Sequence, residues 1–171
     1  MLLSELLSAE RVKVPLSSRT KNDVLRELVS LIASPTSPPP SPASVPGASD
    51  RARGRRGADT DSILASVKER ESVLSTGIGG GVAIPHGKTP HVDQLVLAAG
   101  VAPVPVDFDA LDGKPVQLFF LLVGPESAAG AHVKALSRIS RLLRRESFRA
   151  SLVAAQSAAE FLRLVRDSEA A

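Results

Sequence analysis

Residues Val116 to Val123, reading VQLFFLLV, constrain the fold of this chain more than any other stretch. The run has the length of a strand, and a strand apolar on both faces must be covered on both, which places it centrally in a sheet flanked by helices. The surrounding pattern supplies the other elements. Val12-Lys13-Val14 reads as a short strand. Thr20 caps a helix with Asp23 three residues on, and Val24, Leu25, Leu28, Leu31 and Ile32 follow at helical spacing. Asp59 or Thr60 is expected to cap a second helix running through Ile63, Leu64 and Val67 to about Arg70. Val82–Ile84 and Leu95–Val101 read as strands, with a turn at Gly113 before the central one. From Gly130 onward the pattern is helical: Val133, Leu136, Ile139 and Leu143, then Phe148 and Leu152, and past Ser157, Phe161, Leu164 and Val165. Strands and helices interleave with short connections, which predicts one α/β domain over residues 1–171, a three-layer α/β/α sandwich with a mixed β-sheet.

One segment does not fit that scheme. Residues 34–57 are rich in Pro, Ser and Ala and close on an Arg/Gly run. Such a stretch buries too little apolar surface to offset its ordering entropy, so it reads as a flexible insertion. Charge is unevenly spread: residues 50–56 hold four Arg and one Asp (+3), residues 134–149 hold Lys134 and five Arg against Glu146 (+5), and the formal total of +3 leaves −5 for the rest. The five Phe fall outside both basic stretches, so stacking platforms for single-stranded nucleic acid are missing and no nucleic-acid partner is expected. With no cysteine, disulfides, thiolate metal sites and a cysteine nucleophile are excluded. The opening MLLSELLSAERVKV carries charges where a signal peptide needs an apolar core, and no run reaches membrane-spanning length. A cytoplasmic protein without membrane insertion is the expectation.

The chemistry gathers around Ser75–Lys88, STGIGGGVAIPHGK. Gly81 to Thr89 imitates a phosphate-binding P-loop, but five residues rather than four separate Gly81 from Gly87, and Pro85 removes a backbone donor. Pro85 and Gly87 instead end the strand Val82–Ile84 and leave His86 on a turn at its end, where α/β sheets often place functional groups. A neutral imidazole there can act as a nucleophile, pack, or bind a metal. His132 falls on the apolar face shared with Leu136, Ile139 and Leu143, in the first turn of its helix. It is either a core histidine or a group helping the free N–H groups of that turn to hold an anion. Arg70 closes the preceding helix, where it either complements the dipole or folds onto a phosphate at His86. His91 is expected in solvent, and the three histidines lack metal-ligand spacing, so no metal is expected.

Taken together, Arg70-Glu71-Ser72, then STGIGGGVAIPHGK, DFDALDGKPVQLFFLLVGPE and AHVKALSRISRLLRRESFRASL resemble the enzyme IIA domains of the fructose–mannitol class of the bacterial phosphotransferase system, a group that includes stand-alone nitrogen-related regulators. The resemblance covers residues 1–33 and 58–169. It implies a phosphoryl relay without cofactor: His86 accepts the group, through Nε2, from a histidine phosphocarrier protein and passes it to a cysteine of an enzyme IIB domain, or its phosphorylation state governs regulatory target proteins. It further implies that His132 supports the phosphoryl group, that Arg70 is the arginine preceding the motif, and that Thr76 and Gly87 help to position the phosphate.

Overall fold

The structure, a computed structural model, describes residues 2–33 and 48–170. In chain order these form α1 (Leu3–Leu6), β1 (Val12–Lys13), α2 (Lys21–Ala33), α3 (Ala48–Val73), β2 (Gly77–Gly79), β3 (Val82–Ala83), β4 (His86–Lys88), β5 (Val96–Val106), β6 (Val116–Gly124), α4 (Ala129–Leu142), α5 (Glu146–Val153) and α6 (Ala158–Ala170). The sheet runs β1-β5-β6-β3-β2, with β4 also paired to β6. It is mixed: β1 lies parallel to β5, β5 antiparallel to β6, and β3 and β4 parallel to β6.

The central position of β6 follows from its side chains, which alternate between two buried layers. Leu118, Phe120 and Leu122 pack with Leu97, Ile139, Leu152 and Phe161 under α1 and α4–α6. Phe119, Leu121 and Val123 pack with Val24, Leu28, Ile63 and Val67 under α2 and α3. Each buried Phe or Leu contributes about 2–3 kcal/mol of transfer free energy, so a two-faced apolar strand holds both helical layers at once. Among the described residues, no helix is long and apolar enough to cross a membrane.

The helix boundaries follow local chemistry, with one departure from the pattern reading. Thr20 caps α2 as expected: its Oγ1 accepts the Asp23 N–H at 3.3 Å. By contrast α3 begins at Ala48, so Asp59 and Thr60 lie inside a helix that runs on to Val73. Ala and Arg are strong helix formers, and from residue 48 the chain has left the prolines behind. Residues 34–47 of the expected insertion lie outside the described residues. The three groups of the C-terminal helical pattern fold as three separate helices. Arg149 ends α4 by donating from Nη1 to the carbonyls of Leu143 at 2.6 Å and Arg144 at 3.1 Å, occupying acceptors that a continuing helix would need. Ser157 caps α6, accepting the Glu160 N–H at 3.1 Å, while Glu160 accepts the Gln156 N–H at 2.9 Å.

Candidate active site

His86 is not on a turn. It opens β4, and the pairings Val82↔Leu118, Ala83↔Phe119 and His86↔Leu122 keep one register, so β3 and β4 are two halves of one strand lying along β6. Pro85 falls in the gap, where its missing N–H costs nothing, and its carbonyl still accepts the Leu122 N–H at 3.0 Å. Ile84 turns out of the ladder: its N–H donates to the Thr76 carbonyl at 3.0 Å, and its own carbonyl lies 2.9 Å from His86 Nδ1. A carbonyl can only accept, so Nδ1 carries the proton and the lone pair sits on Nε2. Burial pushes the His86 pKa below its ordinary value; the Arg70 charge acts in the same direction, and the Ile84 bond and Glu71 oppose it. The half-buried ring is therefore neutral at neutral pH and holds a defined tautomer.

Around it lies an open cleft of about 590 Å³ lined by Ser66, Glu69, Arg70, Val73, Gly87, Lys88, Glu126, Val133 and Leu136, with His86 and His132 in its wall. The two imidazole centroids are 5.5 Å apart at 63°. His132, in the first turn of α4, is buried as its apolar face implied. Burial holds its pKa down at about 4, helped by the His86 and Lys88 charges. Its Nδ1 is buried without a hydrogen-bond partner, an arrangement that costs about 1–3 kcal/mol in a folded protein. Arg70 lines the cleft from the last turn of α3, with Nη1 donating to the Leu74 carbonyl at 2.9 Å. Lys88, two residues beyond His86 on β4, adds a second cation and rests 3.8 Å from the exposed Glu126 carboxylate. Val73 and Val133, at 79% and 66% exposure, give the cleft apolar lips.

Of the residues singled out by sequence, the fold brings together His86, His132, Arg70 and Gly87. Thr76 does not reach the cleft; it is buried, with its hydroxyl donating to Glu71 at 2.5 Å. His91 is exposed, as expected. Lys88, Ser66 and Glu71 were missed. Lys88 was signalled by its place two residues from His86, on the same strand face. Ser66, whose Oγ donates to the Lys88 carbonyl at 2.6 Å, gave no signal because its contact spans two elements.

Gly87 is where α3 meets β4. A Cβ there would sit 3.0 Å from Ser66 Oγ and 3.2 Å from the Val67 backbone nitrogen. Gly87→Ala is expected to cost about 1–3 kcal/mol by forcing α3 away from the strand. Because α3 carries Arg70, a lower urea midpoint should come with a rearranged cleft, visible as shifts of the His86 and His132 ring resonances.

The two histidines also set a pH dependence. His132 binds its proton near 4 when folded against 6.5 when free, so between these values the unfolded chain takes up protons that the folded one refuses. This stability is present in full above pH 6.5 and is lost as pH falls toward 4, on the order of 3 kcal/mol in all. His86 adds a contribution of the same sign. Urea unfolding across this range should show the slope, and the His132→Gln protein should lose most of it.

The chain matches the family described as "Phosphoenolpyruvate-dependent sugar phosphotransferase system, EIIA 2" over residues 5–168. It is 36% identical over 157 residues to the "PTS system fructose-specific EIIABC component" of Bacillus subtilis, covering 92% of this chain but only 22% of that much longer relative. It is 34% identical to a "Nitrogen regulatory protein" of Bradyrhizobium diazoefficiens, covering 92% of this chain and 90% of the relative. Its fold superposes on the nitrogen regulatory protein IIA-Ntr of Neisseria meningitidis with a TM-score of 0.76 at 31% identity, covering 95% and 98% of the two chains. Six strands in a mixed sheet, two helical layers and a match along nearly the whole sequence lead to one assignment: the chain belongs to the type-2 EIIA family of the phosphoenolpyruvate-dependent sugar phosphotransferase system.

Proposed function

We propose that the protein is a phosphoryl carrier that accepts its group on Nε2 of His86 from a histidine phosphocarrier protein and passes it to a cysteine of an enzyme IIB partner. One observation carries the reading: Nδ1 of His86 is tied to the Ile84 carbonyl inside a cleft, which leaves Nε2 as a directed lone pair. In the transfer, that lone pair forms the new N–P bond while the electron pair of the donor's P–N bond returns to the donor imidazole. The Nδ1 proton stays on the His86 ring, and the Ile84 carbonyl stabilises the positive charge the ring acquires. Charge on the migrating phosphoryl oxygens is met by Arg70 and Lys88, both lining the cleft, and His132 as a neutral ring offers a hydrogen bond without competing for the phosphorus. The lips formed by Val73 and Val133 suit contact with another protein, which would exclude water from a labile phosphohistidine.

Similarity to nitrogen regulatory proteins along most of both chains favours a second reading of the same site. Here the phosphorylation state of His86 selects which regulatory target the cleft face binds, because up to two negative charges arrive between the apolar lips. Incubation with phosphoenolpyruvate, enzyme I and the phosphocarrier, followed by intact mass measurement, tests both readings. Gain of one acid-labile HPO3 unit is the expected result, and an unchanged mass beside a working control would defeat them.

A further inference from the structure

Beyond the cleft, the chain buries one more carboxylate next to the site. Glu71, the neighbour of Arg70 in the last turn of α3, turns away from the cleft and inward. Its two oxygens accept the Thr76 N–H at 3.1 Å each and the Thr76 hydroxyl at 2.5 Å, and Lys21 Nζ lies 2.9 Å from Oε1. Lys21 is the first residue of α2, the end of a helix where the dipole disfavours a cation. It is held there by Glu71 and by the face of the buried Phe108 ring, 4.7 Å away. A buried carboxylate needs this many partners, and removing any of them leaves charge uncompensated.

The bonds continue to the nucleophile. The carbonyl of Thr76 accepts the Ile84 N–H, and the carbonyl of Ile84 holds His86 Nδ1. We infer that Glu71 is a positioning residue for His86: clamped between α3, α2 and the β2–β3 hairpin, it fixes Thr76, hence Ile84, hence the carbonyl that sets the tautomer and aim of the imidazole. The same clamp fixes the turn of α3 from which Arg70 enters the cleft. Arg70, Lys88, His132, Glu69 and Glu126 are the other charged or titratable groups lining the cleft with His86. The inference rests on His86 as the acceptor, and it adds a residue that never touches the phosphoryl group.

The test compares Glu71→Gln with Glu27→Gln. Glu27 is a matched control: it accepts the N–H groups of Ser17 and Ser18 and pairs with Lys13 at 2.5 Å, but lines no part of the cleft. Two readouts are taken: the rate of phosphoryl uptake, and the His86 ring tautomer from ¹⁵N-histidine correlation spectra at alkaline pH. Glu71→Gln should slow uptake about tenfold to a hundredfold, as expected for a misaimed nucleophile, and convert a single Nδ1–H tautomer into a mixture. Glu71→Asp should recover part of both. Glu27→Gln should lose stability yet keep the wild-type rate and tautomer. A Glu71→Gln protein with wild-type rate and tautomer overturns the inference, as does equal slowing by Glu27→Gln. Should Glu71→Gln not fold, Thr76→Val, which removes only the hydroxyl contact, is judged by the same two readouts. If the wild type takes up no phosphate, the acceptor reading fails, while the tautomer spectra still decide the role of Glu71.

Discussion

The His86→Ala protein should take up no phosphoryl group at all, rather than less. The expected loss is complete because the group is held covalently, and neither remaining histidine can replace the acceptor. His91 is exposed and stands apart from the cations of the cleft. His132 is buried and makes no bond at Nδ1, so nothing fixes which of its nitrogens carries the lone pair. Only at His86 does the fold combine a neutral ring, a fixed tautomer, an open approach and two nearby cations. The substitution removes a half-buried ring with a single hydrogen bond, so the fold should survive and circular dichroism should match wild type. Intact mass after incubation with the donor proteins checks the outcome. Acid-labile mass remaining on His86→Ala would transfer the acceptor role elsewhere.

Much of this was legible in the sequence because it depends on local chemistry. The two-faced run Val116–Val123 could only be a central strand, and the Thr20 cap and Ser157 start mark helices by side-chain bonds made within a turn. What escaped depends on distant pairing. Gly77–Gly79 pairs with β3 as a strand although it has almost no side chains to show an alternating pattern. The following glycines turn the chain, with Gly79–Gly81 at φ of +97°, +67° and +78°. Pro85 read as a terminator, whereas β6 carries the register across it and puts His86 in the sheet. The Arg-rich run read with the prolines before it, although the helix starts at Ala48 once they end. Glu71 carried no signal of its own in the sequence, and only the fold shows that it turns toward Thr76 and Lys21.

For His132 the expectation is a protein that gains stability while losing function. In His132→Ala, His86 should still be phosphorylated, but transfer should slow by about a hundredfold, the usual effect of deleting one preorganised donor. Truncation also leaves a cavity, so Ala alone does not separate support of the phosphoryl group from packing. His132→Leu does. Leucine fills similar space against Leu136 and Ile139 and removes the buried Nδ1 that has no partner, so stability should rise by about 1 kcal/mol. The pH-dependent loss between 6.5 and about 4 should fade with it. If His132 only packed, His132→Leu would transfer phosphate at the wild-type rate. A more stable protein with transfer as slow as His132→Ala would instead show why the fold tolerates an unsatisfied imidazole, because the nitrogen left without a partner in the resting protein belongs to a ring placed to serve the phosphoryl group on His86.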